Sequence, residues 1–424
     1  MVVTAGMLWV QLIIEVFRRI FSLEFLTYFL FAVALVAVMY GRMNRAKKQL
    51  YGSDGGSGEA IWGDVIKATA LGFFGGIIGS ILMVLAGVTL NNIGINYLWM
   101  TAILLFLFNP RYLCFSYAGG LLSISYLLTG FPRVEVPQLM GLVAILHFVE
   151  SILILFSGHL GALPVYAGQK HGRVVGGFNL QRFWPIPLVV MWIVPSPYFA
   201  ELARDLIAMP GWWPLISSPL ADNPHVVYTM IPVVAALGYG DLAVTDTPVG
   251  KSRWSAERLA VYSLVLLVLA IVASHWGWAA WLAALFGPLG HEFLILKGQQ
   301  KELGGTPLYC KPERGVMILD VHPGSTAAKM GLASGDIIFY LDGEPVNSKE
   351  ELARQLAFRS LYVTIDYLRG GQLRRTQGKM PLGTSLGIIP VPEPGDASQV
   401  QFNVKGPLAR LWSRLKNRRK SGNR

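Results

Sequence analysis

Hydrophobic residues in this chain fall in long blocks, separated by short polar or basic loops. A helix needs about 20 apolar residues to cross the hydrocarbon core of a bilayer. Blocks of that kind predict spans at 23–40, 68–90, 93–108, 111–129, 137–156, 183–199, 225–243, 259–275 and 276–295. Pro288 and the His291-Glu292 pair interrupt the last, and the pair reads as the membrane–water boundary at its end. The first stretch is different, because Glu15, Arg18 and Arg19 sit among Leu12, Ile13, Ile14, Val16, Phe17 and Ile20. Charges in the body of a span are costly, so 1–22 reads as an interfacial amphipathic helix and 23–296 as a multi-span membrane domain. Within it, Gly72, Gly75, Gly76 and Gly79 recur at helical spacing beside Ser80, which predicts a close helix–helix contact.

The pattern changes at Lys297. Val316, Ile318 and Val321 come close to alternation, 337–341 is a second apolar run, and Val363, Ile365, Tyr367 and Leu368 make a third; these are strands. Ser348 and Glu351 form a capping box for a helix from Lys349 to Phe358, whose Leu352 and Leu356 face the sheet. Residues 297–393 therefore read as a small soluble α/β domain, and 394–424 as a basic cytoplasmic tail drawn to anionic membrane lipids.

Composition agrees with this division. Apolar residues make up 53% of the chain and charged residues 14%, against roughly 25% charged in soluble domains. An ordinary cytosolic enzyme and a disordered chain are both excluded. The net charge of +11 is not a nucleic-acid footprint, because the basic residues mark one side of the membrane. Arg42, Arg45, Lys47 and Lys48 crowd the first loop, which continues into the Gly/Ser-rich linker 52–58. Arg111, then Lys170, Arg173 and Arg182, then Lys251, Arg253 and Arg258 fall on the same side, while Glu201, Arg204, Asp205 and Asp222 fall on the other. That places everything after Lys297 in the cytoplasm. Cys114 and Cys310 lie in unlike contexts and suggest neither a disulfide framework nor a zinc site.

Arg314-Gly315-Val316-Met317-Ile318, His322-Pro323-Gly324-Ser325-Thr326-Ala327-Ala328, Gly331-Leu332, Gly335-Asp336-Ile337-Ile338 and Asp342-Gly343-Glu344-Pro345-Val346 follow one another in order. The glycines supply turns at positive φ, and Asp-Gly is a hairpin dipeptide. This series resembles a bacterial PDZ domain of the HtrA-type arrangement, with Thr326 where a proline is usual. The fold class is thus a polytopic α-helical membrane domain followed by a small α/β PDZ domain. PDZ domains add an extended peptide to a sheet edge, which makes Leu352, Gln355 and Leu356 candidate groove residues. Leu386-Gly387-Ile388-Ile389 looks like the carboxylate-binding loop but follows the domain, so a closing strand pinned by Pro390 is the competing reading; Gly304-Gly305 is the alternative loop.

Catalytic patterns are incomplete. His291-Glu292 lacks the second histidine of H-E-x-x-H, and Leu341-Asp342-Gly343 sits in the soluble hairpin. Ser157 and His275 belong near opposite membrane faces, too far apart for a nucleophile and its base. His147 and Glu150 share a helix face, and read as a hydrogen-bonded pair fastening neighbouring spans in preference to a transporter's ion path. No catalytic residue, metal site or cofactor is expected.

The architecture, with Gly287-Pro288-Leu289-Gly290-His291-Glu292 leading into Pro312-Glu313-Arg314-Gly315-Val316-Met317, resembles the MinJ-type cell-division topological determinants. The resemblance implies a scaffold, not an enzyme, enriched at division septum and poles. It would recruit the MinC–MinD inhibitor and other division proteins by bridging to a DivIVA-like polar coiled-coil protein, with no nucleic-acid partner. The alternative is a membrane-embedded protease, or a protease regulator that uses its PDZ domain for substrate recognition.

Overall fold

The computed structural model describes residues 5–51, 58–169, 172–195, 209–222, 226–358, 361–381 and 383–398. The linker at 52–57, the outer-loop residues Glu201, Arg204 and Asp205, and the basic tail from 399 onward lie outside the described residues. Helices α1 (Ala5–Ile20), α2 (Leu23–Tyr51), α3 (Gly58–Ala86), α4 (Ile95–Phe108), α5 (Phe115–Thr129) and α6 (Val136–Ser157) come first. Strands β1 (Leu163–Gly168), β2 (Val174–Pro195) and β3 (Val226–Ala243) follow, and then α7 (Pro248–His275) and α8 (Ala279–Gly304). Five of these helices, α2, α3, α6, α7 and α8, are long and apolar enough to cross a membrane.

The described parts of the runs at 183–199 and 225–243 are not helical. They form β2 and β3, an antiparallel hairpin whose register runs from Phe178↔Ala243 to Pro195↔Val226. At about 3.3 Å per residue that ladder is roughly 60 Å long, enough to cross a hydrocarbon core of about 30 Å. Pro185 and Pro187 explain the choice, since a proline inside a helix removes a hydrogen bond and clashes with the preceding turn. In the strand they are harmless. Val189, in the same alternation, donates its N–H to Ser80 Oγ (2.8 Å), so the nitrogens of residues 185 and 187 also face α3, where no ladder partner exists. Further along, that edge of β2 is satisfied by Val88 O, Leu90 N and the Asn91 side chain.

The glycine series serves this packing. A Cβ on Gly72 or Gly76 would lie 2.1 Å from the carbonyl oxygens of Pro185 and Pro187, so at these positions the predicted helix–helix stripe is a helix–strand contact. Gly75 faces Val149 and Leu153 of α6, the expected kind of contact, made within one chain, while Gly79 lies against both Leu188 of β2 and Val149. Helix α1 buries Leu12, Val16 and Ile20 with Val84, Val189, Met191 and Met230, and leaves Val10, Ile13 and Ile14 exposed.

Past α8 the chain forms β4 (Val316–Val321), α9 (Thr326–Lys329), β5 (Ile337–Leu341), β6 (Glu344–Pro345), α10 (Lys349–Ala357), β7 (Tyr362–Arg369), β8 (Gln372–Lys379) and β9 (Ile388–Pro390). The sheet order is β8-β7-β5-β4-β9, with β6 paired to β5. Its core holds Val316, Ile318, Ile338, Leu341, Leu352, Val363 and Ile365. Asp342 and Gly343, at φ 53° and 88°, make the β5–β6 turn, and Ser348 caps α10 by accepting from Glu351 N at 3.1 Å. Gly176 N donates to Tyr309 O (2.8 Å) and Leu308 N to Val244 O (2.8 Å), so the base of the hairpin is stitched to the segment leading into β4. Beneath this seam Lys251, fully buried, lies 3.3 Å from Asp241 and 3.4 Å from Glu302.

Candidate functional site

An open groove of about 420 Å³ lies between α10 and the segment entering β9. Ala353, Leu356 and Ala357 form one wall; Thr384, Ser385, Leu386, Gly387 and Ile388 form the other, with Met380 also lining it. The sequence-predicted residues Leu356, Leu386, Gly387 and Ile388 are thus brought together. Leu352 is not among the lining residues, because it is buried in the domain core. Gln355 turns its amide to Pro345 O at 3.0 Å, and Gly304-Gly305 ends α8 and is not among the groove's lining residues. Ile388–Pro390 pairs with β4 as the closing strand, and Leu386, Gly387 and Ile388 line the groove. Among the described residues no strand pairs with the other edge of β9.

Local chemistry fixes this loop. Gly387 has φ +79°, and a Cβ there would lie 2.2 Å from Ser325 Cβ, so only glycine fits. His322 N donates to Gly387 O and Ala327 N to Leu386 O, which ties the loop to the His322–Ala328 turn and α9. Leu50 and Tyr51, the last residues of α2, also line the groove. The Tyr51 hydroxyl donates to Asp320, and its ring lies 4.8 Å from that of His322. Burial raises the Asp320 carboxyl above the ordinary carboxylate range, against the lowering effect of that hydrogen bond. The Lys349 ammonium hydrogen-bonds Asp396 and lowers its carboxyl, fastening the start of α10 to the chain after β9. No sequence signal pointed to Leu50 and Tyr51, because their place in the groove depends on how the two halves pack.

The membrane half holds a second polar cluster. Cys114, the N-cap of α5, has its Sγ 3.1 Å from His147 Nε2 in α6 and 3.9 Å from His291 Nε2 in α8. His147 does not pair with Glu150 as expected; its Nδ1 bonds the Val143 carbonyl at 2.8 Å. The helix that carries His291 and Glu292, α8, continues past them to Gly304. Glu292 is held by Arg111 and by the Tyr117 hydroxyl (2.6 Å). The three donor atoms of Cys114, His147 and His291 lie within 4.8 Å of one another and form a possible metal-binding group. H-E-x-x-H spacing missed it because the second imidazole comes from a different helix.

Residues 289–378 match the PDZ domain family model. Over 242 residues the chain is 24% identical to the cell division topological determinant MinJ of Bacillus subtilis, covering 57% of each protein. It is 31% identical over 103 residues to the periplasmic pH-dependent serine endoprotease DegQ of Escherichia coli, covering 24% of this chain and 23% of that one. Among solved structures, the PDZ domain of an SdrC-like protein from Listeria monocytogenes matches at 26% identity and TM-score 0.17, over 19% of this chain and 90% of its own.

Proposed function

We propose, from the premise that the chain is a MinJ-like protein with a C-terminal PDZ domain, that it is a membrane scaffold for division-site selection, with its PDZ groove as the recruiting surface. The observation that carries this reading is the groove beside the edge of β9 with which, among the described residues, no strand pairs. An extended peptide added to that edge would gain main-chain hydrogen bonds, and the wall of α10 would select its side chains. Residues 297–393 act as the capture module, and the basic segment 394–424 holds it near anionic lipid on the cytoplasmic face. The membrane helices confine whatever is captured to the bilayer plane, at septum and poles. The partners in this reading are a DivIVA-like coiled-coil protein and, through it, MinC–MinD.

Leu356→Asp in the full chain tests it. An unpaired carboxylate on the groove wall costs on the order of several kcal/mol in desolvation when a peptide covers it. Membrane insertion should persist and thermal unfolding should fall somewhat, because Leu356 also packs against the domain core; septal enrichment and partner capture should be lost, and cells should misplace septa. Retained recruitment by the folded variant would remove the groove from the function.

The DegQ match favours a second reading, in which the groove presents substrates to a protease. Under that reading Leu356→Asp would slow turnover of a membrane protein while leaving septum placement unchanged.

A further inference from the structure

We propose that Cys114, His147 and His291 form a binding site for a zinc-class divalent metal ion in the membrane half, clasping α5, α6 and α8 together. The donor set suits the ion: one thiolate and two imidazoles are borderline-soft ligands of the kind that select zinc over magnesium or calcium. The spacing suits it as well. Bond lengths of about 2.3 Å to sulfur and about 2.0–2.1 Å to nitrogen, at a tetrahedral angle, put S and N about 3.6 Å apart. The observed separations of 3.1 and 3.9 Å straddle that value.

Protonation and orientation are already set for coordination. His147 is buried, and its Nδ1 lies against the Val143 carbonyl, so that nitrogen carries the proton and the Nε2 lone pair faces Cys114. This is the outer hydrogen bond that metal-ligating histidines usually make. His291 differs: its buried Nδ1 has no hydrogen-bond partner, and the nitrogen it turns to the cluster is Nε2, 3.9 Å from Cys114 Sγ. Cys114 Sγ accepts from Ser116 N at 3.4 Å, which holds the sulfur at the end of α5. The imidazole rings sit 5.2 Å apart, walled by Tyr262, whose ring centroid is 5.8 Å from His147 and 5.7 Å from His291.

Binding forms one metal–sulfur and two metal–nitrogen bonds, and the thiol proton leaves to solvent. Three protein donors leave a fourth position for water. The neighbouring carboxylate of Glu292 is engaged by Arg111 and Tyr117. The cluster is remote in function from the PDZ groove, and its metal content is read independently of peptide binding.

The full chain purified in detergent is stripped with chelator and titrated with Co(II), and zinc in the untreated protein is measured by mass spectrometry. The expected result is one ion per chain, with a thiolate-to-cobalt charge-transfer band and a tetrahedral ligand-field spectrum. Cys114→Ser, nearly isosteric, should abolish the charge-transfer band while circular dichroism stays unchanged. His147→Asn and His291→Asn should each weaken binding roughly tenfold or more, whereas His159→Asn, outside the cluster, should not. Absence of stoichiometric metal, or a band that survives Cys114→Ser, overturns the proposal. So does a thiol that alkylates equally fast with and without zinc, the behaviour of a metal-free Cys–His hydrogen bond.

Discussion

At the scale of single residues, burial decides what each polar group has to do. Glu302 is 1% exposed, and one carboxylate oxygen accepts from Val244 N, Thr245 N and Thr245 Oγ1, at 2.8, 2.8 and 3.0 Å. Its other oxygen faces the fully buried Lys251 ammonium. Removing Glu302 leaves the buried Lys251 ammonium with only Asp241, 3.3 Å away, whereas replacing both charges of a buried pair by apolar groups often costs little. Glu302→Ala is therefore expected to destabilise the detergent-solubilised protein by about 3–5 kcal/mol. The pair Lys251→Met with Glu302→Leu should recover most of that in thermal unfolding. A double variant as unstable as the single one would show that the hydrogen bonds to residues 244 and 245, and not the ion pair, carry the effect. The same reasoning separates Leu352 from Leu356: both lie on one helix, one turn apart, but only the second reaches the groove.

At the scale of elements, the α3–β2 contact is the least forgiving in the membrane half. Two carbonyls of β2 lie where a Cβ on Gly72 or Gly76 would be. Gly76→Ala must push helix and strand apart, an overpacking cost of typically about 1–3 kcal/mol or more. Gly63→Ala on the same helix meets nothing within 4 Å and should be neutral or slightly stabilising, since alanine favours the helix. Thermal unfolding of the two variants side by side tests this, and equal effects would mean that α3 does not pack on the hairpin. The strands themselves were hidden from a count of apolar residues, because a strand and a span of similar length carry the same composition. The alternation of Pro185, Pro187 and Val189 was the available signal, and it becomes informative only once α3 is placed against that edge.

At the scale of the whole molecule, the end of α2 links the membrane half to the groove. Leu50 and Tyr51 occupy part of the lining that a peptide would contact, and Tyr51 is tied to Asp320 and packs on His322. A ligand must displace them or build on them. If they compete, Leu50→Ala with Tyr51→Ala should raise peptide affinity by about tenfold, the equivalent of about 1.4 kcal/mol. If they form part of the binding wall, affinity should fall. Titration of the full-length variant with a fluorescent C-terminal peptide separates the two outcomes, and an unchanged affinity would place the peptide elsewhere.

The sequence by itself determined what depends on neighbours along the chain. Apolar blocks outside 183–199 and 225–243 specify helices because a lipid-facing backbone must satisfy its own hydrogen bonds. Glycines at fixed offsets specify the PDZ turns because the residues at 315, 324, 331, 335 and 343 all have positive φ. The capping box at Ser348 and the Asp342-Gly343 turn are local in the same sense. Only the tertiary structure decided the rest. Cys114 meets imidazoles 33 and 177 residues away, and the groove gains a wall from a helix that ends some 300 positions earlier. These are meetings between distant elements, set by which surfaces pack together, and a single chain's local pattern carries no record of them.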